Sequence, residues 1–144
     1  MQTLKMVKTG RVSEPAQRYL IANDVYRNFH SMGKLDREHF VVIHLDGQSR
    51  MIAKETISIG SLNAAIIHPR EVFKAAVHHG SAAIICIHNH PSGATDASDE
   101  DISITKRLIE CGELLGIKVL EHLIIGDGYS SVIEQLQRKG KKPH

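Results

Sequence analysis

The sequence predicts an α/β domain in which one mixed β-sheet is covered by helices. Helix-like and strand-like stretches alternate in the order αββαβαββα, which indicates a single sheet with helices packed on it. The run Ala82 to Ile87 is continuously apolar, as a strand buried on both faces must be. Nothing in the 144 residues marks a repeat, a linker or a domain boundary. A chain of this length buries roughly 70% of its unfolded surface, enough for a core without disulfide staples.

In chain order, Ser13-Glu14-Pro15 is a helix-start signal, and the apolar positions Ala16, Tyr19, Leu20, Val25, Tyr26 and Phe29 continue a helix toward Gly33. The segment His39 to Leu45 reads as a strand, Asp46-Gly47 as a turn, and Met51 to Ile59 as the returning strand. Pro69 opens a second helix through Val72, Phe73, Ala76 and Val77, and Gly80 sits where its stop belongs. After the apolar strand, His88 to Ala97 has the Pro, Gly and Ser content of a loop. Ser98 caps a helix that runs to about Leu115 and stops at Gly116. Ile117 to Ile125 is another strand, Gly126-Asp127-Gly128 turns it toward Tyr129 to Val132, and a short helix and a basic tail follow.

Composition excludes several classes. No apolar run approaches the 18 or so residues of a membrane span. The first twelve residues lack the apolar stretch of a secretory signal, so a cytoplasmic location and no membrane partner are expected. The two cysteines, Cys86 and Cys111, form neither a disulfide scaffold nor a thiolate zinc finger and read as core residues. A net charge of +2 is too mild to argue a nucleic-acid partner. The basic surplus sits at the ends: Lys5, Lys8 and Arg11, then Arg138, Lys139, Lys141 and Lys142. Residues 1–11 accordingly read as an extension, 12–136 as the domain, and 137–144 as a basic tail.

Ten histidines are the unusual count. His88 and His90 stand two apart, so strand geometry through them would aim both rings to one side. Asp101 follows eleven positions later in the first turn of a helix, and the intervening loop is long enough to fold that turn back over the histidines. Two imidazoles and a carboxylate suit zinc with one position left for water; iron, manganese or nickel fit the same ligands. An HxH pair alone arises by chance about half the time in such a chain, but adding Pro91, Ser98 and Asp101 lowers that to roughly one in ten thousand. Capping competes for Asp101, because Ser98-x-x-Asp101 is also close to a capping box at the positive end of a helix dipole. A hydrolytic site also needs a general base, and residue spacing leaves Glu38, Glu55, Glu71 and Glu121 open. His122, in an apolar strand, reads as a core or supporting histidine.

The run His88-Asn89-His90-Pro91-Ser92-Gly93, followed by Ser98-x-x-Asp101, resembles the JAMM motif of the Jab/MPN metalloprotease superfamily, and more closely the RadC group of bacteria. The resemblance extends from about Val12 to Val132 and includes His68-Pro69-Arg70-Glu71-Val72 and Glu121-His122-Leu123-Ile124-Ile125-Gly126. It implies an MPN fold, similar to that of the cytidine deaminases. It also implies zinc held by His88, His90 and Asp101, Glu38 as general acid/base, and Ser98 as an oxyanion donor. Active members cleave peptide or isopeptide bonds, so a peptide or protein substrate is implied. Two departures stand out. The helix-hairpin-helix region common in RadC proteins has no counterpart before Val12, so the metal-site domain alone is expected. The proline usual before the motif serine is Ala97 here.

The first functional expectation is therefore a zinc-dependent hydrolase of an amide bond. The alternative is a DNA-repair or recombination accessory whose metal site is structural or vestigial, against which counts the lack of a basic stripe on any predicted helix. The letters HNH do not make an HNH nuclease, since the helix after Ser98 has no histidine to complete one. A deaminase needs HxE and PCxxC, and neither occurs.

Overall fold

The structure, a computed structural model, describes residues 18, 19, 21–60 and 67–140. Five strands form one mixed sheet in the order β2-β1-β3-β4-β5. They are β1 (His39–Leu45), β2 (Met51–Ile59), β3 (Ala83–Asn89), β4 (Lys118–Gly126) and β5 (Gly128–Ser131). Only β3 and β4 run parallel; every other neighbouring pair is antiparallel. The parallel pair needs a crossover, and the 17-residue helix between those strands provides it.

The helices are α1 (Ala22–Phe29), α2 (Pro69–His79), α3 (Asp99–Leu115) and α4 (Val132–Gly140), with a 3-10 turn at His30–Lys34. Two apolar clusters, one on each face, account for the burial of β3 along its whole length. Ile84, Cys86, Phe40 and Val42 pack with Phe73, Ile104 and Leu108 of α2 and α3. Ile85, Ile87, Ile43 and Leu123 pack with Val25 and Met32 under α1 and the 3-10 turn. Cys86 is core, as expected, and burial pushes its thiol up to about 12, with the Glu121 charge adding to the shift. Cys111 packs at the margin of the same cluster. Among the described residues no helix is long and apolar enough to cross a membrane.

Three boundaries differ from expectation. The predicted start at Ser13 lies outside the described residues, and Arg18 bridges to Arg50 while the Tyr19 N–H donates to Ser49 O, so this stretch is not helical. The helix begins at Ala22, where the Asp24 carboxylate accepts the Ile21 N–H and tethers the first turn. β3 continues two residues beyond Ile87, because His88 and Asn89 keep their ladder partners on both sides. α4 runs to Gly140, so the first four residues of the supposed basic tail are helical; residues 1–11 and 141–144 lie outside the description. The stops at Gly80 and Gly116 are where the sequence places them, both in the left-handed conformation that glycine enters without strain.

Gly112 is required for a different reason. A Cβ there would lie 2.2 Å from the Ile117 backbone carbonyl oxygen and 3.5 Å from the Phe73 ring. Alanine ordinarily favours a helix over glycine by about 1 kcal/mol, yet Gly112→Ala is expected to destabilise by about 1–3 kcal/mol through overpacking against backbone. Urea unfolding measures this, and a stabilised variant would contradict the close approach of α3 to Ile117.

Candidate metal centre

The centre lies where β3 ends and where β1 and α3 begin. Antiparallel pairing sets Phe40 opposite His88, which brings the residue before β1, Glu38, to the histidine strand. Glu38 Oε1 is 3.0 Å from His88 Nε2. The other nitrogen of the same ring, Nδ1, is 2.9 Å from Asp101 Oδ1. Asp101 Oδ2 is 3.2 Å from His90 Nε2, and the two imidazoles meet edge to face with centroids 5.0 Å apart. One carboxylate thus touches both histidines. Asp101 is 0% exposed, His88 1%, His90 15% and Glu38 28%, so the centre grades from a sealed interior to a solvent-facing glutamate.

The loop 90–98 is anchored by backbone. The His90 N–H donates to Ile125 O, and the Asp127 N–H donates to Gly93 O, which pins the loop on the β4–β5 hairpin. Gly126 permits this contact, since a Cβ there would meet Gly93 O at 2.4 Å. His90 Nδ1–H donates to Ala94 O at 3.1 Å and leaves Nε2 directed at Asp101. A histidine oriented by a carbonyl on its far nitrogen is the usual arrangement for metal ligation.

Capping and histidine contact are both made by Asp101. The Ser98 hydroxyl accepts the Asp101 N–H at 3.0 Å and donates to Asp101 Oδ2 at 2.9 Å. The Ser98 N–H donates to the same oxygen at 2.8 Å. Burial opposes ionisation of Asp101, but hydrogen bonds from His88, His90 and the Ser98 N–H hold its carboxyl well below the usual carboxylate range. The hydrogen bond to Asp101 raises the pKa of His90 against a smaller opposing effect of burial.

Of the four candidate bases, Glu38 is the one brought to His88. Glu55 pairs with His44 at 3.1 Å, and His44 lies opposite Ile84, four residues along β3 from His88. Glu71 is in the first turn of α2 beside Arg70. Glu121 accepts the His122 N–H and the Ser131 hydroxyl.

Two features beside the centre are not given by residue spacing, the role of Asn89 and the partner of His122. Asn89 is fully buried, and its amide spans the glutamate: Oδ1 accepts the His39 N–H at 2.6 Å and Nδ2 donates to Arg37 O at 2.9 Å. The backbone on both sides of Glu38 is therefore tied to the histidine strand. Asn89→Ala is expected to cost about 1–3 kcal/mol for the buried groups it strands while leaving metal content unchanged, by denaturant titration and elemental analysis. The second is the pair Thr105 and His122. Thr105, one helical turn after Asp101, hydrogen-bonds His122 Nδ1, and burial pushes the His122 imidazole down to about 4.

The donor chemistry fits a borderline divalent cation. Glu38, His88 and His90 offer atoms within 4.8 Å of one another, as do His88, Asp101 and His122. A family model described as the RadC-like JAB domain matches residues 20–138. The chain is 59% identical over 97 residues to a UPF0758 protein of Caldanaerobacter subterraneus subsp. tengcongensis, covering 67% of this chain and 42% of that protein. It is 59% identical over 93 residues to a UPF0758 protein of a Geobacillus species, covering 65% and 41%. A UPF0758 protein of Bacillus cereus is 57% identical over 93 residues, with the same coverage. The chain spans about two fifths of the length of these curated relatives.

Proposed function

The chain belongs to the RadC-like JAB domain family, and from that premise we propose that it is a zinc-dependent metallohydrolase cleaving a peptide or isopeptide bond. The observation that carries this reading is the meeting of two imidazoles with a buried and a half-open carboxylate, from three separate segments, at one end of the sheet. His88, His90 and Asp101 would hold the ion. When bound, zinc supplies a Lewis acid that polarises a substrate carbonyl and lowers the pKa of water toward about 7.

The chain's own groups divide the remaining work. Asp101, sealed and kept ionised, contributes fixed negative charge that balances the cation. Glu38 is open enough to exchange protons with solvent, so it takes a proton from the attacking water and returns it to the leaving nitrogen. Asn89 keeps that carboxylate in reach by holding the peptide units around it. Ser98 holds the helix start through its lone pair on the Asp101 N–H, and its hydroxyl proton, now given to Asp101 Oδ2, turns to the developing oxyanion.

The test is zinc content of protein purified without a histidine tag or chelator, together with cleavage of a panel of peptide and isopeptide-linked substrates. About one zinc per chain and chelator-sensitive cleavage are expected. Protein that takes up no metal when zinc is supplied would end this reading.

A further inference from the structure

The donor atoms at the centre fall into two trios that share His88. Glu38, His88 and His90 make the outer one, partly open to solvent; His88, Asp101 and His122 make the inner one, all buried. His88 belongs to both because its ring faces Glu38 through Nε2 and Asp101 through Nδ1. The hydrolytic roles assigned to Glu38, Asp101, Asn89 and Ser98 leave His122 without one. The Thr105 hydroxyl donates its one proton to Asp101 O at 2.7 Å, so it accepts from His122 Nδ1–H. That places the imidazole proton on Nδ1 and leaves Nε2 with a bare lone pair. His122 Nε2 is buried and has no hydrogen-bond partner among the described residues. Leaving such an atom unsatisfied is costly, and a soft lone pair among a carboxylate and a second imidazole is what a zinc-class ion takes.

We propose that the centre has a second, inner position for a zinc-class divalent cation, lined by His88, Asp101 and His122. It rests on the reading that this centre binds metal, and adds where the ion can reside. A neutral imidazole has one lone pair, so His88 serves one position at a time and the two compete for a single ion. The inner trio is fully buried and does not include Glu38. An ion there is stored, whereas the outer position, where His90 and Asp101 join His88, sets it beside the base Glu38 and solvent.

Cobalt(II) titration of the full chain, stripped of metal, tests this through stoichiometry, affinity and visible spectrum. Wild type, His90→Ala, His122→Gln and the double variant are compared, with circular dichroism to check folding and His122→Asn in reserve should the glutamine variant not fold. His90→Ala and His122→Gln are each expected to keep one cobalt per chain, with spectra that differ from each other. The double variant is expected to lose affinity by more than about 100-fold, beyond the effect of removing a supporting partner. If His122→Gln leaves affinity and spectrum unchanged in both backgrounds, the inner position is wrong and the outer one stands. If wild type binds no cobalt or zinc, both proposals fall together.

Discussion

His88→Ala is expected to strip the centre of metal and abolish hydrolysis in one step. His88 is the side chain that every donor set at the centre contains: it meets Glu38 on one nitrogen and Asp101 on the other, and it is packed edge to face with His90. Its position is fixed, because residue 88 lies inside a strand paired on both sides, to Phe40 and to Ile124. Loss of a group that merely supports a ligand typically costs 10–100-fold in metal affinity, so removal of this ligand should cost more than about 100-fold. It also leaves the Asp101 carboxylate buried with one imidazole fewer, which destabilises the first turn of α3 by about 1–3 kcal/mol. Elemental analysis and urea unfolding of the same preparation separate the two effects. Retention of stoichiometric zinc by His88→Ala would place the metal elsewhere in the chain and remove the site from consideration.

The parts of this centre that were legible in the sequence are local ones. His88, His90, Ser98 and Asp101 lie within fourteen residues, and their spacing alone brings them into view. Capping explains an acid in this turn but not its distance from two histidines. In the structure its carboxylate makes the cap and touches both histidines, since Oδ2 serves the cap and His90 while Oδ1 serves His88. Glu38 was not legible from spacing. Its contact with His88 spans fifty residues and depends on the β1–β3 register, which no periodicity reports. The family resemblance supplied it.

The role of Asn89 is not legible in the sequence, and for His122 only its place in the core is. The run His88-Asn89-His90-Pro91-Ser92-Gly93 has the composition of a loop, which concealed that its first two residues remain in β3 with buried side chains. Polar residues can end a buried strand when their partners are waiting, as Arg37 O and His39 N–H are for Asn89. His122 reads in the sequence as a core or supporting histidine, and its burial agrees. What marks it out is a nitrogen without a partner among the described residues, which only three-dimensional neighbours can reveal. The first helix erred in the opposite direction: apolar spacing extended it over Tyr19, where edge pairing to Ser49 wins instead.

Glu38→Gln is expected to keep the metal and remove the turnover. Two imidazoles and Asp101 remain, and glutamine keeps the size of the side chain and an oxygen facing His88, so zinc content should stay at the wild-type level. What disappears is the ability to accept a proton, which a carboxamide lacks at any working pH. General acid–base groups contribute about 10²–10⁴-fold, and that range is the expected fall in kcat on whichever amide substrate the wild type cleaves. Substrate affinity should change little, because the loss is confined to the proton-transfer step. Glu38→Asp is the companion variant. It retains the carboxylate but draws it back by one methylene from a contact now at 3.0 Å, so partial activity is expected between wild type and glutamine. Full activity of Glu38→Gln would take Glu38 out of the proton path and leave it as an outer neighbour of the ion. Since Glu55 is engaged with His44 and Glu121 with Ser131, the base would then have to be solvent or substrate rather than another glutamate of the sheet.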